Sequence, residues 1–354
     1  MSFTRLTADD FVVSADSISS TLWTDGSPAL STIFTSSAQA AGSSGDFYLN
    51  AYQTAATESV QFALTYGNSY GSGSANYNAA VDGRTPTSTV YGQWQDLVIG
   101  DENTDFVFGA VSVPEFFAMP FERATYKESL FLGSTKLTIS GTLGTLELTD
   151  NSNYVTSVQF NEAGRVFQLI SGSQGVISEN ALNTNGYTTD SGSYGWLLPD
   201  IGTILLNPHA LTGSLASGGC GFIYSGSGYS GSAVYTSNTA APSQIFRAIS
   251  GSIANSGSAA GDDNFFINSE ETITSDFIFV RPRSSEYNYS ANPSFISGST
   301  GEVLFSSFIS NPQTYMTTVG LYSDTNELLA VAKLSRPLVK DFTKEALIRV
   351  KLDF

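Results

Sequence analysis

The 354-residue chain has one cysteine and one histidine. A single thiol, Cys220, excludes an intrachain disulfide, and with His209 as the lone imidazole the usual Cys and His ligand sets of zinc cannot be assembled. Charged residues are also scarce, at 13% of the chain, about half of the ~25% typical of globular domains. Those present are unbalanced: 15 Lys and Arg against 32 Asp and Glu give a net charge of −17. Phosphate backbones and anionic membranes repel such a chain, so neither nucleic acid nor membrane is an expected partner. There is no run of about 18 apolar residues. The opening "MSFTRLTADDFVVSADSISS" carries acidic residues where a secretion signal needs a basic segment followed by a long apolar one. The expectation is a soluble protein that folds in a cytoplasm. No repeat of fixed period is visible, which argues against a propeller or solenoid.

What the chain does have is Gly, Ser, Thr and Asn in abundance and 12% aromatics. This composition favours strands and turns, with Tyr and Phe filling thin cores. The expected fold is mainly β, sandwich-like, with antiparallel sheets, Gly/Ser-rich loops and a few short helices. Strand signals recur at "DFVVS", "DFYLNAYQT" and "SVQFALTYG". "KLTISGTLGTLELTD" and "YVTSVQFNEAGRVFQLISGS" read as hairpins, the latter turning at "NEAG". "YGWLLPDIGTILLNPHAL" reads as two buried strands around a turn, since a proline argues against a central strand at that point. Helices are predicted at "STVYGQWQDLV", capped by Thr85 or Ser88, at "PFERATYKESLF" behind Pro120, and over two turns of "PSQIFRAIS". Residues 217–233 and 250–261 are Gly/Ser-rich and predicted as loops. Three regions follow: 1–133, 134–261 and 262–354, with the first and last able to pack as one domain.

Candidate chemistry is sparse. His209, in "LNPHALTG", is the only imidazole base and no "GxSxG" accompanies it, so it reads as a turn residue. Cys220 sits among glycines with no basic neighbour and reads as a buried thiol. Acidic groups occur at Asp9 and Asp10, at Asp101, Glu102 and Asp105, at Asp262 and Asp263, and at Glu270 and Glu271. Adjacent carboxylates on a turn do not converge across a cleft as a glycosidase pair must, and none has the spacing of a calcium loop. They read as solvated turn residues. "GSGSANYNAAVDGR" lacks the lysine-ended pattern of a phosphate loop. No cofactor, metal or catalytic residue is expected. The Tyr- and Asn-rich stretches "GNSYGSGSANYN" and "SSEYNYSANPSF" suit packing against protein, with glycan contact as the alternative.

The most strongly patterned stretch is the last. In "ALIRVKLDF", Ala346, Ile348, Val350, Leu352 and Phe354 share one face, while Arg349, Lys351 and Asp353 lie on the other with Leu347. Upstream, "MTTVGLYS" and "LLAVAKLS" flank "DTNE" as a hairpin, and the final strand is expected to pair with that hairpin.

These residues also carry a resemblance. "EYNYSANPSF", "NPQTYMTTVGLYSDTNELLAVAKLSRP" and "KDFTKEALIRVKLDF" resemble the C-terminal region of a family of virion structural proteins from large contractile-tailed bacteriophages, especially those infecting marine cyanobacteria. "SFTRLTADDFVVSADSIS", "ERATYKESL" and "GSYGWLLPDIGTILLNPHAL" resemble earlier segments of the same family. "TTVGLYSDTNELLAVAKLS" is similar to a hairpin theme of tail-fibre and baseplate proteins. The resemblance implies a non-enzymatic virion component of the tail or baseplate, assembled in the host cytoplasm as a homo-oligomer in contact with other virion proteins. A receptor-facing adhesin or fibre-type protein that binds host glycan is the alternative, with neck and capsid decoration further ones. The family supplies no catalytic residues to transfer. Folding and assembly are assigned to the C-terminal hairpin and strand: Val319, Leu321, Leu329, Val331, Ile348, Val350, Leu352 and Phe354.

Overall fold

The computed structural model describes residues 4–30, 33–35, 48–53, 59–74, 80–81, 85–181, 183–188, 190–224, 241–255, 265–290 and 292–353. The protein is mainly β, with 43% strand and 15% helix. Along the chain the first strands are β1 (Phe11–Thr21), β2 (Phe34–Thr35), β3 (Tyr48–Tyr52) and β4 (Val60–Asn68), followed by helix α1 (Pro86–Ile99). Next come β5 (Phe106–Phe108), β6 (Val111–Val113), β7 (Glu115–Pro120), β8 (Ser129–Leu130), β9 (Lys136–Ser140), β10 (Thr145–Asp150), β11 (Gln159–Asn161), β12 (Gly164–Ser173) and β13 (Val176–Ile177). β14 (Gly195–Leu198), β15 (Thr203–Leu206), α2 (Pro208–Thr212), α3 (Ala241–Asn255), β16 (Phe265–Phe266) and β17 (Asn268–Val280) follow. The chain closes with α4 (Ser306–Ser310), β18 (Thr314–Tyr322), β19 (Leu328–Lys340) and β20 (Ile348–Asp353). It divides into two compact units, Ile18–Glu271 and Met1–Ser17 with Thr272–Phe354.

The larger unit is organised by one antiparallel sheet in the order β16-β9-β10-β12-β14-β15-β7-β4-β3-β2. It runs across residue 133, because β7 on one side of that position pairs with β15 on the other. Past their first residues its central strands, "EFFAMP", "GWLL" and "TILL", read as apolar runs, because both faces are buried. Successive side chains alternate between two cores. Phe117, Met119, Leu197, Ile204 and Leu206 enter one; Phe116, Ala118, Trp196, Leu198 and Leu205 enter the other. The second core is covered by α1, through Tyr91 and Val98, and by the β5–β6 hairpin, through Phe106, Phe108 and Val113. Helix α1 has the expected start, with Ser88 Oγ accepting the Thr85 N–H, and stops at Gly100 in the left-handed region (φ 77).

On the first core the sheet curls, and its end strand β16 meets the segment that precedes β2. Ala29 bridges to Phe266, and the Leu30 N–H donates to the Phe265 carbonyl at 3.0 Å. Phe265, from one end, packs edge-on against Phe62 of β4 at 5.5 Å and against Trp23 at 5.0 Å. Helix α3 packs on β9 near one end and on β3 and β4 near the other, so it lies across the concave face, with Ile245, Phe246 and Ile249 buried. It is 15 residues long and runs through residue 255, longer than the two turns predicted and into the stretch predicted as a loop from 250. Residues 225–233 and 256–261 of the predicted loops lie outside the described residues.

Three hairpins match the sequence pattern: β9–β10, β11–β12 around Asn161–Gly164, and β14–β15 with Pro199 in the turn. The predicted helix behind Pro120 is absent. Pro120 is the last residue of β7, and only a 3-10 turn, Arg123–Thr125, precedes β8. The segment is held extended because Phe121 is anchored against Trp23 and Phe62 while Leu130 is buried at its far end. Tertiary anchoring overrides local propensity here.

In the smaller unit β17 pairs with β1 and β20. The final strand therefore does not extend the β18–β19 hairpin as expected; it pairs antiparallel with β17, Val350 opposite Ile278 and Lys351 opposite Phe277. β17 offers a partner over six residue pairs, Ser275–Asp353 to Val280–Ile348. Ile278 and Val350 are buried, and Arg349 and Lys351 lie over the Phe277 ring on the other face. The hairpin β18–β19 forms a two-stranded sheet of its own, turning at Asn326 in the left-handed region (φ 63) as "DTNE" predicts. Its register slips between Met316 and Thr318, opposite a stretch that contains Pro337, which has no N–H for the ladder. Lys340 is fully buried; its ammonium donates to the Ser284 and Asp341 carbonyls and to Asn288 Oδ1, fastening residues 284–288 to the end of β19.

Two glycines of the larger unit should respond oppositely to alanine. A Cβ at Gly195 (φ 150) falls 1.8 Å from the Leu205 carbonyl oxygen, inside a ladder with no room to move. At Gly92, inside α1, it meets nothing within 4 Å. Thermal unfolding should show Gly92→Ala stabilised by about 0.5–1 kcal/mol and Gly195→Ala markedly destabilised.

A pH effect is expected at the β14–β15 turn. Burial works to raise the Asp200 carboxyl, but the side-chain and backbone hydrogen bonds of Arg165 and its charge outweigh burial, leaving Asp200 below the ordinary 3.8. Its contribution is therefore present above that value and lost as pH falls through the lower folded value. Acid titrations of wild type and Asp200→Asn should differ by up to ~1 kcal/mol near neutrality, the pair being a third exposed, and converge below pH 3.8.

Candidate functional site

The most concentrated polar chemistry in the larger unit surrounds Glu115, the first residue of β7. Its side chain is 1% exposed and accepts from four sides. Tyr66 Oη and Asn68 Nδ2 donate to Oε2, the latter at 3.1 Å; Tyr224 Oη (2.5 Å) and His209 Nε2 (2.8 Å) meet Oε1. Ladder pairing of Asn68 with Glu115 brings the end of β4 to the start of β7. The Asn207 carboxamide accepts the His209 N–H and so caps α2, which holds the imidazole in place. A carboxylate only accepts, so the His209 nitrogen facing it carries a proton. Tyr224 is pushed well above its ordinary value by burial and then by the Glu115 charge, so its hydroxyl stays a donor.

His209 is thus neither isolated nor simply a turn residue: a carboxylate stands behind it, as in the base half of a hydrolytic triad. No nucleophile stands at the imidazole among the described residues. Among the described residues Glu115 is the one hydrogen-bond partner of the His209 side chain. What the arrangement can do is fasten: one buried carboxylate joins β4, β7, α2 and the segment at Tyr224. Glu115 escaped the sequence reading. The available signal was a carboxylate directly before four apolar residues of a run buried on both faces; its partners lie 47 to 109 residues away along the chain.

The other sequence candidates are dispersed. Cys220 is fully buried, its thiol raised to about 11 by burial, with Sγ directed at the Leu211 carbonyl, which is the expected inert thiol. Asp10 accepts from Thr7, Asp101 closes a turn onto Asn103 and Thr104, Asp105 accepts from Ser112, and Glu270 accepts from Ser129. Asp9 lies in the same 3-10 turn as Asp10, while Asp262 and Asp263 lie outside the described residues.

The eight residues assigned to folding and assembly divide sharply. Val350 is buried (4%); Ile348 and Leu352 beside it, and Val319 and Leu321 on β18, are half-buried. Leu329 and Val331 stand out, 69% and 59% exposed. Phe354 lies outside the described residues. Val319 and Leu321 pair with Ala332 and Ala330 on one face of the hairpin, whereas Val331 pairs with Gly320 on the other.

Comparison with protein-family models, with curated protein sequences and with solved structures returns no match.

Replacing Glu115 by Ala would strand four donors in or near the core. Chemical denaturation of Glu115→Ala should show a loss of about 3–5 kcal/mol. His209→Ala should lose clearly less, because its side chain is 37% exposed and water can replace it.

Proposed function

We propose that this chain is a non-enzymatic structural component of a bacteriophage virion, of the tail or baseplate, that joins neighbouring subunits through the unit Met1–Ser17 with Thr272–Phe354. The resemblance of its C-terminal segments to contractile-phage structural proteins supplies the virion. One structural observation supports the assembly role: the small unit leaves its apolar residues uncovered. Its buried hydrophobic residues, among those described, are Ile278 and Val350, while Val13, Ile309, Tyr315, Leu329, Phe342 and Leu347 are each 60–71% exposed. Scattered exposed apolar residues are ordinary; this density in one unit is the mark of an interaction surface.

The hairpin points the same way. A two-stranded sheet is marginal in water alone, and among the described residues β18 and β19 pair only with each other. Unpaired edges are templates for a further strand.

Charge favours a second copy as the partner. The small unit holds nine of the 15 Lys and Arg and eleven of the 32 Asp and Glu, a net charge of −2, which leaves −15 on the larger one. Copies therefore repel through their large units and can approach through their small ones. A closed homo-oligomer around a symmetric tail follows from such a contact.

Light scattering after size exclusion should show an oligomer for the wild type and monomers for a Leu329→Asp, Val331→Asp double variant with an unchanged unfolding temperature. A truncation lacking residues 346–354 should fail to enter particles. A monomeric wild type, or normal incorporation of the truncated chain, would overturn the proposal.

A further inference from the structure

The larger unit carries a half-open groove of about 410 Å³ away from the Glu115 cluster, within the ~300–1,000 Å³ range of small-molecule sites. Among the described residues its lining has no charged side chain. Val107, Val155 and Val166 and the rings of Tyr187 and Trp196 give it apolar surface; Asn151, Ser157, Gln159 and Gln168 give it polar groups.

Two of those polar groups are held in a fixed sense. Gln168 Oε1 accepts the Gly109 N–H at 3.1 Å and the Ser193 hydroxyl at 2.5 Å. Asn151 Oδ1 accepts the Gln168 N–H at 2.9 Å. A backbone N–H can face only the oxygen of a carboxamide, so both amides have a determined orientation. The Gln168 oxygen has both acceptor positions filled and the Asn151 oxygen one, and among the described residues neither NH₂ group has a hydrogen-bond partner. The Trp196 indole N–H has no acceptor among the described residues but is sealed off, in a residue nine-tenths buried against Phe106 and Phe108, so the ring offers the groove only apolar surface. Both NH₂ groups are solvent-accessible donors on residues that line the groove, free to meet an acceptor there.

We propose that this groove binds a neutral saccharide. A sugar ring offers both halves of the match: a C–H face for the aromatic and valine surface, and hydroxyl, ring or N-acetyl oxygens to accept from Gln168 and Asn151. An anionic ligand has no cation to meet it and approaches a unit of net charge −15. A purely apolar ligand leaves the amide donors unmet. The wall depends on Gly109 (φ 69), where a Cβ would stand 3.0 Å from Tyr187 Cε2 and displace that ring. These residues lie outside the Tyr- and Asn-rich stretches that the sequence singled out, and the inference concerns the large unit alone, independent of assembly.

The test is calorimetric titration of the intact protein with neutral oligosaccharides terminating in glucose, galactose or N-acetylglucosamine, alongside a sialylated oligosaccharide and triglycine. Saturable binding of at least one neutral sugar at millimolar concentration is expected. Gln168→Glu keeps the oxygen that Gly109 and Ser193 need but removes the donors, so it should weaken binding about tenfold or more without moving the unfolding temperature. Gly109→Ala should weaken it as well, by moving Tyr187. The proposal is overturned if no neutral sugar binds, if Gln168→Glu binds as the wild type does, or if only the sialylated sugar or the peptide binds.

Discussion

In the middle of the large sheet no strand has a solvent face. The apolar residues Phe116–Met119 of β7, Trp196–Leu198 of β14 and Ile204–Leu206 of β15 point alternately into the two cores, so the pleat assigns Phe116 and Phe117, or Leu197 and Leu198, to opposite sides. A slip of one residue would exchange the two cores wholesale, and register is correspondingly strict. The rest of the large unit follows from covering both faces: α1 and the β5–β6 hairpin on one, α3 on the other. Curling the sheet until Phe265 reaches Phe62 gives α3 strands on both sides to pack against, and it ties off an edge that would otherwise be open.

A strand so thoroughly buried has no cheap place for a charge, yet β7 begins with Glu115. The carboxylate is tolerated because two tyrosines, an asparagine and a histidine converge on its two oxygens. The same logic governs Lys340 in the small unit, whose ammonium is met by three oxygens of residues 284, 288 and 341. In both places a buried charge reaches segments outside its own ladder as well, α2 and the segment at Tyr224 for Glu115 and residues 284–288 for Lys340, so the network also specifies which segments meet.

The two units divide the surface chemistry. The large unit closes its cores and carries nearly all the net negative charge; the small one is almost neutral and closes hardly any core of its own.

Local pattern was legible in the sequence wherever one short segment decides the outcome. Period-two alternation placed the final strand and its wet face, turn chemistry placed the "DTNE" and "NEAG" hairpins, and capping chemistry narrowed the start of α1 to Thr85 or Ser88, of which the structure uses Thr85. Partners were not legible. The alternation of Ile348, Val350 and Leu352 says that they face a core, but not that β17, rather than the adjacent hairpin, supplies the facing strand. Nor does "PFERATYKESLF" reveal that Phe121 and Leu130 will be pinned at both ends and held straight. The Glu115 cluster and the amide-lined groove are assembled from residues far apart along the chain, each unremarkable where it stands. The sequence by itself determined the class of structure, its strands and turns and its acidic balance, because those follow from neighbours within a few residues. The pairing of β20, the curl of the sheet around α3 and the convergence on Glu115 were decided only by the tertiary structure, because long-range burial selects among partners that local propensity leaves equivalent.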